Sequence, residues 1–172
     1  MQLIFFSSRH FDELISWFPN ENSLIQWGGP EVSYPIGRGQ LQSMLDEGQH
    51  QKPIRLCWMA TDKGAIVGHS QLLFDWKNEK ARLCRIAIAP ESRGQGLAKS
   101  MLTQVINRAF GYSNINRLEL NVYTSNQAAI RTYKHLGFVD EGANSLSTLV
   151  GDKHWEANHM ALLRSPWSDR LN

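Results

Sequence analysis

Hydrophobic residues in the second half of the chain recur with two periods, one typical of strands and one typical of helices. Arg117–Tyr123 alternates apolar and polar residues, which predicts a strand with one buried face. From Gly96 to Phe110 the apolar residues recur every three or four positions, which predicts an amphipathic helix. Ala81–Ala89 is apolar on both of its faces, so we expect this strand to lie in the centre of a sheet.

The same patterns predict the remaining elements, with an irregular stretch between Asn20 and Pro35. The other predicted strands are Met1–Phe6, Ile54–Ala60, Ala65–Trp76, Ser145–Val150 and Trp155–Leu163, and the other predicted helices contain Phe11–Phe18, Leu41–Leu45 and Ala128–Leu136, the last of them capped by Thr124 or Ser125. This order predicts an α/β (α+β-like) fold with one mixed, mostly antiparallel central sheet of about seven strands, flanked by about four helices.

Length and charge narrow the class of protein. A chain of 172 residues predicts a single domain, 1–172. A net charge of +2 is too small to favour nucleic acid or an anionic membrane as a partner. Cys57 and Cys84 are far apart and lie in apolar runs, which is typical of reduced, buried thiols. Because the sequence also lacks a long apolar run and a signal-peptide pattern, we expect no membrane insertion and a cytoplasmic location.

The stretch from Ile86 to Lys99 carries the clearest chemical signal. It reads as a central strand, a short loop with Gly94 and Gly96, and the start of a helix. Glycines allow close backbone approach, and the first N–H groups of a helix have no partners within it. This combination predicts an anion site suited to a pyrophosphate.

Several interpretations of this loop compete. A P-loop motif is absent, and the dinucleotide-binding motif G-x-G-x-x-G fails at Lys99, where its third glycine would stand. The two glycines can also serve a turn alone, without a ligand.

A metal site is not expected, because the six histidines show no metal-binding spacing.

Two motifs resemble the GNAT superfamily of N-acetyltransferases. Arg93-Gly94-Gln95-Gly96-Leu97-Ala98 resembles the family motif Q/R-x-x-G-x-G/A. The stretch from Asn126 through Tyr133 to Gly137-Phe138 resembles the family pattern N-x-x-A-x-x-x-Y-x-x-x-G-F. The resemblance covers about Ile54–Leu163. Within the superfamily, the sequence is similar to the bacterial branch that includes ribosomal-protein and aminoglycoside N-acetyltransferases.

The resemblance implies a GNAT fold and transfer of acetyl from acetyl-CoA to a primary amine in a ternary complex. It assigns the CoA pyrophosphate to the backbone of Gly94–Lys99, beside the Arg93 side chain. The pantetheine arm is assigned to the backbone of Ile86–Ile88, and Asn126 to a hydrogen bond with the cofactor. The residues implied in cofactor binding are Ile86, Ala87, Ile88, Arg93, Gly94, Gln95, Gly96, Leu97, Ala98, Lys99 and Asn126.

The resemblance also implies two catalytic groups. The N–H of Ile88 is the implied oxyanion donor, and Tyr133 is the implied general acid that protonates the leaving thiolate. Ribosomal-alanine relatives carry a glutamate where this chain has Asn121, so the general base is open. Glu119 is one substitute, on the same strand face. The other options are His69, Asp75, a water chain, or an amine that arrives partly neutral.

Aromatic and acidic residues near the N-terminus suggest an acceptor pocket. Trp27, Glu31 and Tyr34 lie where this family builds that pocket, and we add Asn121 as a substrate-binding residue. Aromatic faces and carboxylates suit a cationic amine. The same residues can instead complete the core.

These expectations combine into one functional hypothesis, an acetyl-CoA-dependent N-acetyltransferase acting on a small-molecule or peptide amine. We expect acceptor-side helices in 1–51, a cofactor-binding core in 54–164 and a tail in 165–172. No metal, nucleic acid or membrane partner is expected, and the protein is expected to be a monomer or homodimer. The alternative is a catalytically inactive acyl-CoA-binding sensor or interaction module.

Overall fold

The structure is a computed structural model that describes residues 1–169, apart from the side chains of residues 143–147. The strands in this part of the chain are β1 (Gln2–Phe5), β2 (Arg55–Asp62), β3 (Ala65–Asp75), β4 (Lys80–Ile88), β5 (Arg117–Tyr123), β6 (Val139–Val150) and β7 (Lys153–Leu163). They form one seven-stranded sheet in the order β1-β2-β3-β4-β5-β7-β6. β4 and β5 are parallel, and the other neighbours are antiparallel. The predicted mixed, mostly antiparallel sheet with Ala81–Ala89 at its centre is therefore confirmed.

The described residues contain six α-helices, two more than the predicted number of about four. They are α1 (Phe11–Ser16), α2 (Glu21–Gly28), α3 (Arg38–Asp46), α4 (Leu97–Phe110), α5 (Gln127–Leu136) and α6 (Arg164–Asp169). The prediction of an irregular segment at 20–35 was wrong for α2, which begins because the Asn20 side chain accepts the Ser23 N–H at 2.9 Å. In α6, Trp167 is buried and its indole N–H donates to Asn107 at 2.9 Å. Residues 170–172 of the predicted tail lie outside the described residues.

Helices cover both faces of the sheet and form two apolar clusters. On one face, α4 and α5 bury residues such as Met101, Val105 and Ile130 against the sheet. On the other face, α1, α2 and α3 bury a second cluster that includes Leu24 and Met59. The helices predicted from the sequence, such as α4 and α5, contribute the apolar stripes that their sequence period indicates. The molecule is therefore a three-layer arrangement around one sheet.

The centre of the sheet opens between β4 and β5. Their parallel pairing runs from Lys80 to Arg82 on β4, opposite Arg117 to Glu119 on β5. Beyond this point each strand continues without pairing to the other, so a gap forms between their carboxyl ends. β5 remains paired to β7 throughout, which holds its side of the gap in place.

A bulge in β4 lies beside this gap. Gln71 of β3 pairs with Cys84, whereas His69 pairs with Ala87, so two residues of β4 lie opposite one residue of β3. Arg85, one of the two, has a positive φ of 50°. A bulge bends a strand and redirects its side chains. Here it turns the second half of β4 away from β5 and widens the gap.

Candidate active site

A cavity of about 790 Å³ occupies the gap between β4 and β5. Cys84–Ile88 and Asn121–Tyr123 line it from the two strands, and α2, α4 and α5 contribute to its walls. Its volume lies in the range of small-molecule and cofactor sites. The elements implied in cofactor binding, acid catalysis and acceptor binding thus surround one space.

The loop between β4 and α4 presents backbone groups to this cavity. Gly94 and Gly96 have φ values of 76° and 74°, the left-handed region that favours glycine. A Cβ at either position would meet no described atom within 4 Å, so the backbone is open to a ligand. Gly96 is the N-cap of α4 and has no side chain to accept the helix's first N–H groups. The loop therefore fits an anion such as the pyrophosphate of CoA.

The edge of β4 that faces the gap fits an extended ligand arm. The Ala89 N–H donates to the Val67 carbonyl at 3.0 Å, towards β3. Because backbone groups alternate in direction along a strand, the N–H of Ile88 is directed to the opposite edge, into the gap. The Ile88 carbonyl accepts from the Arg93 side chain at 3.2 Å. Arg93 is thus held at the junction of the strand edge and the glycine loop.

Tyr133 and Asn126 approach the cavity from α5. Tyr133 is buried and packs edge-on against Phe138, with ring centroids 5.8 Å apart. No described group forms a hydrogen bond with its hydroxyl. Burial raises the pKa of Tyr133, and the nearby Cys84 raises it further, so the phenol stays protonated. The Asn126 Oδ1 accepts the Ala129 N–H at 3.2 Å and caps α5, which corrects the predicted cap at Thr124 or Ser125.

α2 forms the wall at the bulge. The Trp27 indole N–H donates to the Arg85 carbonyl at 2.8 Å, and its ring contacts Phe18. Glu31 follows α2 and also lines the cavity, 3.7 Å from the Arg85 guanidinium. Asn121 lines the opposite wall, where its Oδ1 lies 2.9 Å from Nδ1 of His159. Three of the four predicted acceptor residues therefore share the cavity.

Glu119 lies outside the cavity lining. Its carboxylate accepts from Arg117 at 2.8 Å and from Lys80 at 3.1 Å, where β4 and β5 are still paired. Burial alone would raise the pKa of Glu119, but these two hydrogen bonds outweigh it and the pKa is lowered. A carboxylate held ionised by two cations and away from the cavity is poorly placed to accept a substrate proton. The structure thus places Glu119 outside the cavity, in ion pairs with Lys80 and Arg117.

The other proposed bases are also displaced from the cavity. His69 is fully buried on β3, where its ring contacts Met59 and Gln71. Burial, with smaller contributions from Arg85 and His10, lowers the pKa of His69 to about 3. Asp75 lies at the far end of β3 and accepts from Asn78 at 2.8 Å.

The structure brings most of the predicted site residues together. Those that line the cavity are Ile86, Ala87, Ile88, Arg93, Gly94, Gly96, Leu97, Ala98, Asn126, Tyr133, Trp27, Glu31 and Asn121. Gln95, Lys99 and Tyr34 do not line it. The Gln95 side chain donates to the Glu91 carbonyl at 3.2 Å, and the Tyr34 hydroxyl donates to the Pro19 carbonyl at 3.0 Å. The expectation of Tyr34 as a pocket residue is corrected, because its side chain turns to the chain segment before α2.

Sequence reasoning missed a group of arginines in the lining. Arg55, Arg82 and Arg85 all border the cavity. The available signal was a charge within apolar strand patterns, above all Arg85 between Leu83 and Ile86. A charged residue that interrupts a buried strand often marks a bulge or a site.

The described part of the chain lacks two structural features. It contains no cluster of three or more His, Cys, Asp or Glu side chains arranged to hold a metal ion. It also contains no helix long and apolar enough to cross a membrane.

Comparison with known proteins places these features in context. The chain is 28% identical over 86 residues to spermidine N(1)-acetyltransferase of Vibrio cholerae, which is 50% of each chain. It is 26% identical over 103 residues to the L-amino acid N-acetyltransferase of Escherichia coli, covering 59% of this chain and 64% of that protein. The chain thus spans about half to two thirds of the length of these relatives.

Solved structures share the fold over nearly the whole chain. The spermidine N-acetyltransferase of Vibrio cholerae in complex with CoA and spermine superposes with a TM-score of 0.82 at 20% identity, covering 99% of this chain and 98% of that one. The sequence model of the acetyltransferase (GNAT) family matches residues 13–138. Because this match includes the glycine loop, the gap between β4 and β5, and α5, the chain belongs to the GNAT acetyltransferase family.

Proposed function

We propose that this chain transfers the acetyl group of acetyl-CoA to the primary amine of a small molecule, by direct attack within a ternary complex. The observation that carries the proposal is the gap between β4 and β5. There the directed N–H of Ile88, the Tyr133 side chain and the glycine loop border one cavity. Family membership and the acetyltransferase relatives support the same reaction class.

Cofactor binding is assigned to backbone groups. The N–H groups from Gly94 to Lys99 would hold the pyrophosphate, with Arg93 adding charge at the strand edge. The free edge of Ile86–Ile88 would pair with the pantetheine arm as an added strand would. Asn126 would donate from its amide nitrogen, since its oxygen already caps α5.

The catalytic groups have complementary tasks. Bound acetyl-CoA supplies a thioester: the new N–C bond forms at its carbonyl carbon, the C–S bond breaks, and the amine's proton passes to solvent. The Ile88 N–H would stabilise the negative charge that develops on the carbonyl oxygen. Tyr133 would give its proton to the departing sulfur and regain one from solvent before the next turnover, and its raised pKa keeps that proton in place beforehand.

We assign no protein side chain as a dedicated base. Glu31 is the only acidic residue among the described residues that line the cavity. Its side chain is 82% exposed. The cavity's arginines disfavour a bound ammonium, because like charges lower the pKa of an amine. The amine is therefore expected to attack as the free base after losing its proton to water. No metal takes part in this scheme.

A thiol-release assay tests the proposal. The protein would be incubated with acetyl-CoA and a panel of amines, with release of free CoA and acetylated product both measured. Turnover with at least one amine is expected. Tight binding of acetyl-CoA, seen as thermal stabilisation, without turnover of any amine would favour the alternative of an inactive acyl-CoA-binding module.

A further inference from the structure

One buried arginine of the cavity has only a long ion pair with an exposed carboxylate. The Arg85 side chain is only 8% exposed, yet it borders the cavity. It forms a salt bridge with Glu31, but the distance of 3.7 Å is beyond that of a hydrogen bond, and the Glu31 side chain is 82% exposed. Buried charges are normally paired, because leaving one unpaired costs several kcal/mol of solvation. Arg85 therefore has donors available for a ligand.

A second guanidinium lies beside the first. Arg55 is 8% exposed at its side chain and pairs with Glu47 at 2.9 Å. Arg55 and Arg85 both donate to the Oε1 atom of Gln71, at 2.9 and 3.3 Å. Two cations thus share one neutral acceptor, and of the two only Arg55 also has a carboxylate at hydrogen-bond distance. The two guanidinium charges create a local positive potential at Arg85, and their burial reduces its screening by water.

The other charged side chains that line the cavity also give it a net positive charge. Its charged side chains are four arginines, Arg55, Arg82, Arg85 and Arg93, and one carboxylate, Glu31. Residues 143–147, whose side chains are not described, contain no acidic residue in the sequence. Arg93 is engaged at the glycine loop through the Ile88 carbonyl, on the side assigned to the cofactor. Arg85 instead lies at the wall formed by α2, where the acceptor would enter.

We infer that the acceptor amine also carries a carboxylate, and that Arg85 binds this carboxylate within the cavity. The inference rests on the proposed function, since it names the substrate class of that same site. A guanidinium binds a carboxylate through two parallel hydrogen bonds, which fixes the orientation of the acceptor. This wall is positively charged and attracts anions, whereas a polyamine is a cation and would be repelled. The weakly held Glu31 would be displaced from Arg85 as the substrate carboxylate enters.

Matched acceptor pairs that differ only by the carboxylate test the inference. Suitable pairs are L-ornithine with putrescine, L-lysine with cadaverine, and L-alanine with ethylamine. For the best pair, kcat/KM of the wild type is expected to be roughly 10- to 100-fold higher with the carboxylate. Arg85→Gln should remove most of that preference by raising KM for the amino acid, and should leave KM for the plain amine within about twofold. Arg85→Lys should restore part of the preference, because it keeps the charge and loses the two-point geometry.

Arg108→Gln is the matched control, since Arg108 is an exposed arginine on α4 that does not line the cavity. It should behave as the wild type with both members of each pair. Equal or better turnover of the plain amines by the wild type overturns the inference and leaves the proposed acetyltransferase function in place. An equal loss with both members of a pair in Arg85→Gln also overturns it. If that variant fails to bind acetyl-CoA, the wild-type ratio alone decides. Absence of thiol release with every amine instead overturns the proposed function itself.

Discussion

The Trp27 indole N–H donates to the Arg85 carbonyl at 2.8 Å, across 58 positions of sequence. This hydrogen bond joins α2 to the bulge of β4, the point at which the strand turns away from β5. Trp27 is only 7% exposed, so the bond is largely shielded from water. The bond therefore couples the cavity wall formed by α2 to the conformation of the strand that carries Ile88.

Trp27→Phe should weaken both stability and acceptor binding. The variant leaves a buried carbonyl without its donor, which costs about 1–3 kcal/mol of unfolding free energy. It should also raise KM for the acceptor severalfold, because the bulge and α2 lose their connection. Trp76→Phe is the matched control, since its indole donates to the Pro53 carbonyl at 2.9 Å away from the cavity. Chemical denaturation and steady-state kinetics of both variants check this; equal acceptor KM values in the two would contradict it.

Gly96→Asp should disrupt cofactor binding. The substitution puts a side chain on a backbone with positive φ and a carboxylate against the N-terminus of α4, where the pyrophosphate is proposed to bind. We expect the Kd for acetyl-CoA to rise by more than about tenfold. Gly64→Asp provides the control, because Gly64 has a φ of 85° in the turn between β2 and β3 and open space around it. Calorimetric titration should show an unchanged Kd there, with a similar strain cost of roughly 1 kcal/mol. An unchanged Kd in Gly96→Asp would place the phosphate site elsewhere.

Local patterns predicted most of the fold, and the exceptions depend on distant contacts. The alternation in Arg117–Tyr123 matches β5 at both ends. α2 was missed because Gly28, Gly29 and Pro30 read as a loop, whereas the Asn20 cap and the burial of Leu24 and Trp27 stabilise a helix before them. β6 begins at Val139, earlier than the predicted Ser145, because pairing with β7 outweighs its polar composition.

The site was predictable where it depends on short motifs and unpredictable where it depends on strand pairing. The glycine loop and Tyr133 lie in continuous motifs, and both line the cavity. The position of Glu119 follows from its pairing with Arg82, which closes the gap at that point. The role of Arg85 depends on a bulge opposite β3, and the sequence of β4 alone does not specify that bulge.

Tyr133→Phe should lower turnover without lowering cofactor affinity. Removal of the hydroxyl takes away the proposed proton donor, so kcat should fall by roughly 100-fold. The Kd for acetyl-CoA should stay within about twofold, because the ring and its contact with Phe138 remain. Tyr112→Phe is the control, since Tyr112 packs against Phe74 and Trp76 outside the cavity. A wild-type kcat in Tyr133→Phe would assign the proton to another donor.

Glu119→Gln should change stability and leave the chemistry unaffected. The pKa of Glu119 is lowered in the folded protein, so its ion pairs stabilise the fold above its ordinary value of 4.5. The variant should therefore lose roughly 1–3 kcal/mol of unfolding free energy at neutral pH. That difference should shrink as the pH falls below about 4.5, where Glu119 of the unfolded chain takes up its proton, and it should vanish once the pH passes below the lowered pKa of the folded protein. Denaturation at several pH values measures this, and a large fall in kcat would restore Glu119 as a base.

The pH dependence of the rate should follow the acceptor amine and no side chain of the protein. Glu119, His69 and Asp75 all lie outside the cavity, and Glu31 is an exposed carboxylate at its wall. Only the free base can attack. A plot of log kcat/KM against pH should therefore rise with unit slope up to the pKa of the amine and then level off. When the acceptor is exchanged for a less basic amine, the inflection should shift by the difference between the pKa values of the two amines. This shift should be the same in the wild type and in Glu31→Gln. An inflection that stays fixed when the acceptor changes would show that a protein group removes the proton, and its loss in Glu31→Gln would identify that group.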